Sequence, residues 1–164
     1  MSDVQYQPVS PDYKHLLRVD ILVNWGLLLV AGLIASYFIT VIQYWHTALG
    51  ALTIVLIMVL MMTLWVTRRY RLTGYQVQPQ QVHFRTGALW RTQTAVAINR
   101  IQHVEITQGP VERYFKLAKL VIYTAGGSGS DLSVPGLPQA EAEQIRDQLL
   151  QRINQQTSGD DHEL

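Results

Sequence analysis

The sequence predicts an α+β membrane protein, in which a two-helix transmembrane hairpin precedes an antiparallel β domain capped by a C-terminal α-helix. Three observations predict it. Residues 21–67 include no Asp, Glu, Lys or Arg. Residues 72–134 alternate apolar and polar side chains with the period of a β-strand. From Pro138 onward the apolar residues recur with helical spacing.

The uncharged stretch is long enough for two membrane-spanning helices. A bilayer core needs about 20 apolar residues per helix, and residues 21–42 and 48–66 each approach that length on either side of the polar residues 43–47. A cleaved signal peptide is the competing interpretation, but it requires one short apolar region followed by small residues. This apolar region is doubled and followed by arginines, so residues 19–67 are assigned to a transmembrane hairpin.

The cations flanking the hairpin predict its orientation. Lys14 and Arg18 precede it, whereas Arg68, Arg69 and Arg71 follow it, and the connection at 43–47 carries no Lys or Arg. The positive-inside rule therefore predicts that both termini, including the segment 1–18, are cytoplasmic. The three arginines after the hairpin are also candidate lipid contacts, since each would attract anionic headgroups by about 1 kcal/mol. The alternative is that they only set topology and anchor the interface.

Small residues repeat four apart on the first predicted helix. Ala31 with Ala35 and Gly32 with Ser36 form small-xxx-small faces, which permit close packing of helices. Packing within the hairpin and packing against another subunit are both compatible with this pattern.

After the hairpin the pattern predicts a run of short strands separated by turn residues. The strands are predicted at residues 72–77, 82–84, 92–98, 104–106, 117–124 and 131–134. The Gly-rich segment 126–130 is predicted to be a hairpin loop, because a phosphate-binding loop would need a following Lys-Ser/Thr and a helix. From Pro138 a helix is predicted whose apolar face carries Ala142, Ile145, Leu149 and Ile153. Residues 70–153 form the predicted domain, and the polar residues 154–164 a disordered tail.

Four landmarks stand out in this region: Tyr70-Arg71-Leu72-Thr73, Arg100-Ile101-Gln102-His103-Val104, Gln108-Gly109-Pro110 with Arg113-Tyr114-Phe115, and Thr124-Ala125-Gly126. In order and spacing they resemble those of the bacterial membrane-flanked pleckstrin-homology (PH) domain family, in its small YdbS-like form with two N-terminal spans. The family commonly has a glycine after the aromatic residue of the third landmark, where this chain has Lys116.

The resemblance implies a PH-like β barrel or sandwich that the two-helix hairpin anchors in the bacterial inner membrane. It implies no catalytic residues, cofactor or metal. It implies a non-enzymatic interaction module that faces the cytoplasm and works with a larger membrane protein carrying several PH domains, or with itself, in some cases in envelope defence. Arg100, Gln102, Arg113 and Phe115 are then candidates for partner contact, with a structural role as the alternative.

Composition excludes several other classes of protein. The absence of cysteine excludes disulfides and thiolate sites, and a net charge of +1 without a concentrated basic face argues against nucleic-acid binding. The first hairpin loop of the β domain, residues 78–81, has no Lys or Arg, which argues against a phosphoinositide-type pocket. Two functions remain, an assembly module and, as the alternative, a sensor of anionic-lipid headgroups at the membrane surface.

Overall fold

The computed structural model describes residues 5–38, 44–125 and 132–160, with side chains described to residue 155. Two long apolar helices lead into two antiparallel sheets and a C-terminal helix. The helices are α1 Tyr13–Phe38, α2 Tyr44–Leu60, α3 Val66–Leu72, α4 Pro110–Tyr114 and α5 Gln139–Asp160. The strands are β1 Gln7–Pro8, β2 Gly74–Val77, β3 Gln81–Gly87, β4 Arg91–Ala97, β5 Ile101–Thr107, β6 Leu117–Thr124 and β7 Leu132–Pro138.

Two long helices form what we call the apolar hairpin. The first is α1, and the second is the continuous helix 44–72, which consists of α2, a π-helical segment at Met61–Trp65, and α3. Both helices are long and apolar enough to cross a membrane. They differ from the prediction at their ends. Residues 44–47, predicted as part of the polar connection, are helical, and α1 begins at Tyr13, well before the predicted start.

The early start of α1 has a packing cause. Tyr13, Leu17 and Ile21 recur four residues apart, so they share one face of the helix, and all three are buried. All three belong to the hydrophobic cluster that α1 shares with the β domain, and their burial stabilises the first turns of the helix. The N-terminal end of α1 is therefore part of the β domain as well as of the apolar hairpin.

The predicted strands are confirmed and belong to two open sheets, ordered β1-β2-β3-β4 and β5-β6-β7, with every neighbouring pair antiparallel. The added strand is β1, which the sequence analysis placed in a separate N-terminal segment. Its two residues pair with the start of β2, with Gln7 opposite Tyr75. The predicted Gly-rich loop at 126–130 lies outside the described residues.

The N-terminal segment and the sheets share one hydrophobic core. Val9, Tyr13 and Val66 are buried in the same cluster as the inward residues of β6 and β7. The Ser10 N–H donates to the Gly136 carbonyl at 2.9 Å. Gly136 has φ +73°, and a Cβ atom there would lie 2.5 Å from Cγ of the Tyr13 ring, so only glycine accommodates both the backbone conformation and the ring.

Helix α5 closes the domain with the predicted face. Ala142, Ile145 and Leu149 are buried, and the Tyr75 hydroxyl donates a hydrogen bond to Glu141 across the α5–β2 contact. Burial, and then the bond to Glu141, raise the pKa of the Tyr75 hydroxyl above its ordinary value. The helix continues to Asp160, so the prediction of disorder from residue 154 is wrong as far as 160, because extending an established helix costs little.

A buried threonine joins the apolar hairpin to the first sheet. Thr73 follows α3 and is 2% exposed. Its hydroxyl donates to the Arg69 carbonyl at 2.6 Å and lies 3.3 Å from the Thr86 hydroxyl on β3. These bonds fix the direction of β3 relative to the end of the continuous helix.

The short helix α4, which was not predicted, ends in a residue with unusual backbone geometry. Lys116 has φ +54°, and its carbonyl accepts the Gln139 N–H at 3.1 Å where α5 begins. A left-handed conformation costs a non-glycine residue about 1–2 kcal/mol. Lys116 stands at the position for which the sequence analysis noted a glycine in similar proteins.

We expect Lys116→Gly to stabilise the protein by up to about 1 kcal/mol, because the released backbone strain exceeds the extra chain entropy that glycine loses on folding. The matched variant Lys116→Val should destabilise, since a β-branched residue tolerates this φ least. Thermal unfolding of the detergent-solubilised chain, followed by near-UV circular dichroism, measures both. Equal melting temperatures for the two variants would show that this position is not strained.

Candidate functional surfaces

The three arginines after the predicted hairpin occupy two environments. Arg68 and Arg71 are exposed on α3. Arg69 is partly buried, with its guanidinium carbon 5.0 Å from the centre of the Trp65 ring, a cation–π contact. Arg68 and Arg71 are thus available to a ligand, whereas Arg69 packs against the helix that carries it.

The turn between β3 and β4 lies beside Arg68 and Arg71. Its residues Ala88 and Leu89, with Arg91 at the start of β4, complete a crevice of about 390 Å³ that also includes Leu72. The turn therefore adds a third exposed guanidinium, that of Arg91, to the two on α3.

A second crevice, of about 300 Å³, continues from the first along the apolar hairpin. The two share Arg68, Ala88 and Leu89. The second one is otherwise lined by residues of the continuous helix, namely Leu60, Met61, Leu64 and Trp65. We call the two together the turn crevice: it is basic at the end nearest the sheet and apolar at the end along the helix.

The geometry of the β3–β4 turn is tightly defined. Gly87 pairs with Arg91 across the turn, and a Cβ atom on Gly87 would lie 2.4 Å from the Trp90 carbonyl oxygen. Within the turn, the Leu89 side chain is 79% exposed and that of Trp90 is 86% exposed. The sequence predicted a turn between these strands but no functional role for it, although two large apolar residues at a turn, where polar residues are usual, were a signal.

A second surface is the outer edge of β4. This strand pairs with β3 alone among the described residues. The Ile98 N–H donates to the Gln80 carbonyl at 2.9 Å in the same register. Because bonded and non-bonded pairs alternate in an antiparallel ladder, Gln93 and Ala95 direct their N–H and C=O groups toward the open edge.

The other candidate contact residues do not come together at one place. Arg100 and Gln102 are exposed around the start of β5, and Arg113 is exposed on α4. Phe115 is partly buried against the core, with its ring 6.3 Å from that of His15 on α1. Phe115 therefore joins α4 to the base of α1, while a partner role for the other three remains a prediction.

The two small-residue faces of α1 also separate. Gly32 lines a crevice of about 130 Å³ between the helices, opposite Gly50 and Ala51, whereas Ala31 and Ala35 are exposed. Ser36 is partly buried. A Cβ atom on Gly32 would meet no other atom within 4 Å, so the helices are not in close contact there, and close packing through either small-residue face remains a prediction.

Among the residues that the structure describes, the titratable groups of the β domain form no constellation typical of an active site. His83 is on β3 of one sheet and His103 on β5 of the other, where its ring lies 5.8 Å from that of Tyr123. The Tyr123 hydroxyl donates to Glu105 at 3.2 Å, which raises the tyrosine pKa. Within the described ranges, no three His, Cys, Asp or Glu residues lie close enough together to hold a metal ion.

Comparisons with known proteins agree with this architecture. The family model for the bacterial PH domain matches residues 21–153. The chain is similar to the UPF0699 transmembrane protein YdbS of Bacillus subtilis (strain 168), at 27% identity over 146 residues, which cover 86% of this chain and 88% of that protein. No solved structure matches. The chain belongs to the bacterial PH domain family.

Proposed function

We propose that the protein is a non-enzymatic assembly module of the bacterial inner membrane, which faces the cytoplasm and associates with a second copy of itself through the open edge of β4. The observation that carries the proposal is this edge, which is regular and exposed and ends a sheet fixed to the apolar hairpin.

The composition of β4 supports a docking role. Natural edge strands are usually protected by lysines, prolines or bulges. From Thr92 to Ala97 this strand has none of these residues and no charge, and its pairing with β3 runs from Gln81 to Gly87 without a register shift. By contrast, the ladder of β5 has an irregularity between Ile101 and His103, and α5 packs on that sheet.

The attachment of the domain to its anchor lowers the affinity that such an edge needs. The core shared by Tyr13, Leu17 and Val66 holds the β domain on the apolar hairpin. Two copies confined to one membrane meet at a raised effective concentration. A strand pair of modest intrinsic affinity is then sufficient for association.

We expect Ala95→Pro to weaken self-association about tenfold, because it removes an outward N–H from the open edge of each copy, and each lost hydrogen bond is worth about 0.5–1.5 kcal/mol. Proline is tolerated on an edge strand where the N–H faces solvent, so the pairing of β4 with β3 should persist. Energy transfer between two dye-labelled populations of the chain, diluted into liposomes, measures the association.

Ala95→Thr is the matched control, since it alters the same side chain and keeps the N–H. It should associate as the unaltered chain does. An unaltered chain that is monomeric at all dilutions, or equal association of the proline and threonine variants, would contradict the proposal.

The proposed orientation places both termini in the cytoplasm, because Lys14, Arg18 and the arginines of α3 all lie at one end of the apolar hairpin. The chain has no cysteine, so a single introduced thiol reports one position. We expect His46→Cys to react with an impermeant maleimide added to intact cells, and Gln80→Cys to react only after permeabilisation. Labelling of Gln80→Cys from outside would reverse the topology.

A further inference from the structure

We propose that the turn crevice binds one anionic phospholipid of the surrounding bilayer. The phosphate is held at the basic end by Arg68, Arg71 and Arg91, and an acyl chain lies along the apolar end. This site lies at the start of β4, beside rather than along its open edge. It differs from a phosphoinositide-type pocket in the first hairpin loop of the β domain, where residues 78–81 have no cations.

The basic end of the turn crevice carries positive charge that an anion would compensate. Arg68, Arg71 and Arg91 line the same crevice and are exposed. Among the described residues no carboxylate lies within ion-pairing distance of these three guanidiniums, and the ion pair that does form, Arg146 with Asp147, is on α5. Guanidinium groups bind phosphate oxygens through paired N–H donors, so a phosphate group fits this end.

The apolar end selects a lipid over a free phosphate. Leu60, Met61 and Leu64 belong to the continuous helix of the apolar hairpin. Leu60 lies about 12 Å along the helix axis from Arg68, at 1.5 Å per residue. The crevice therefore extends from the level of the arginines toward the hydrocarbon layer, as a phospholipid does. A soluble anion would use only the basic end.

The exposed tip of the β3–β4 turn supports the same occupant. Leu89 borders both parts of the crevice, and Trp90 next to it is 86% exposed. Trp side chains are enriched at membrane–water interfaces. The turn lies beside a spanning helix, so both side chains would lie in the headgroup layer of the leaflet that supplies the lipid. There they would be removed from water.

The helix and the turn on the two sides of the crevice are each positioned by a local contact. The π-helical segment Met61–Trp65 includes a bond from the Val66 N–H to the Met61 carbonyl, and such segments are frequent at functional sites. On the other side, the contact of Thr73 with Thr86 fixes β3. The turn is thus held alongside the helix before any lipid arrives.

The depth of the turn is tested with a nitroxide on Leu89→Cys in the full chain, reconstituted in liposomes of phosphatidylcholine and phosphatidylglycerol. Gln80→Cys, at the opposite end of β3, is the matched control. We expect the label at position 89 to be more accessible to oxygen, which partitions into the bilayer, and the label at 80 to be more accessible to a water-soluble nickel chelate. Equal nickel accessibility, or shielding of position 89 from both reagents, would overturn the proposal.

Lipid selectivity is tested by native mass spectrometry of the chain extracted from nanodiscs with equal amounts of the two lipids. We expect retained phosphatidylglycerol to exceed phosphatidylcholine, and Arg68→Gln and Arg91→Gln each to lower that preference about fivefold, as expected for one cation near an anionic headgroup. Arg100→Gln, an exposed arginine outside the crevice, should leave it unchanged. No preference in the unaltered chain, or an equal loss in the Arg100 variant, would overturn the proposal.

Discussion

The fold depends on a hydrophobic core that the apolar hairpin and the β domain share. Tyr13, at the domain end of α1, packs against Gly136 on β7, where no larger residue fits. Val66, at the domain end of the second helix, is fully buried in the same cluster. We call these two helix ends the helix feet. Each buried aromatic or aliphatic side chain of this kind contributes about 1.5–3 kcal/mol. The β domain is consequently held against the apolar hairpin by side-chain packing, and not by the chain connection alone.

This shared core gives the two candidate surfaces their positions. Because the feet of both helices are fixed in the domain, the β3–β4 turn is held alongside the helix that carries Arg68. The strand β4 starts at that turn and runs away from it, and among the described residues its outer edge has no partner strand. Arg91 begins β4 and lines the turn crevice, so the proposed lipid site and the proposed assembly edge meet at one strand.

The sequence predicted what local periodicity encodes. The uncharged stretch, the strand alternation and the spacing of Ala142, Ile145 and Leu149 were each sufficient to place an element, and the landmarks indicated the family. Features set by contacts distant in sequence were not predictable in the same way. The helical start at Tyr13 depends on burial against β7, and the two-residue strand β1 exists only because the start of β2 is opposite it. The extension of α5 to Asp160 follows from the packed half of the helix.

The candidate site shows the same division. The arginines of α3 were predicted as membrane contacts from their position after the hairpin. The addition of Arg91 did not follow from the sequence, since it depends on how the contact between Thr73 and Thr86 orients the helix and the turn. The cation–π contact of Arg69 with Trp65 joins residues four apart on one helix, so the sequence could have predicted it. The exposed pair Leu89 and Trp90 was visible in the sequence as an apolar pair at a turn, but only the fold brings it beside Leu60 and Leu64.

Hydrogen exchange of the full chain in detergent tests the shared core most directly. Amides of Tyr13–Ile21 and Val66–Leu72 should exchange as slowly as those of β6, because opening either helix foot would expose the core that β6 helps to form. The comparison is internal to one sample, so it does not depend on absolute stability. Rapid exchange in both helix feet while β6 stays protected would contradict a shared core and would make the β domain an independently folded unit.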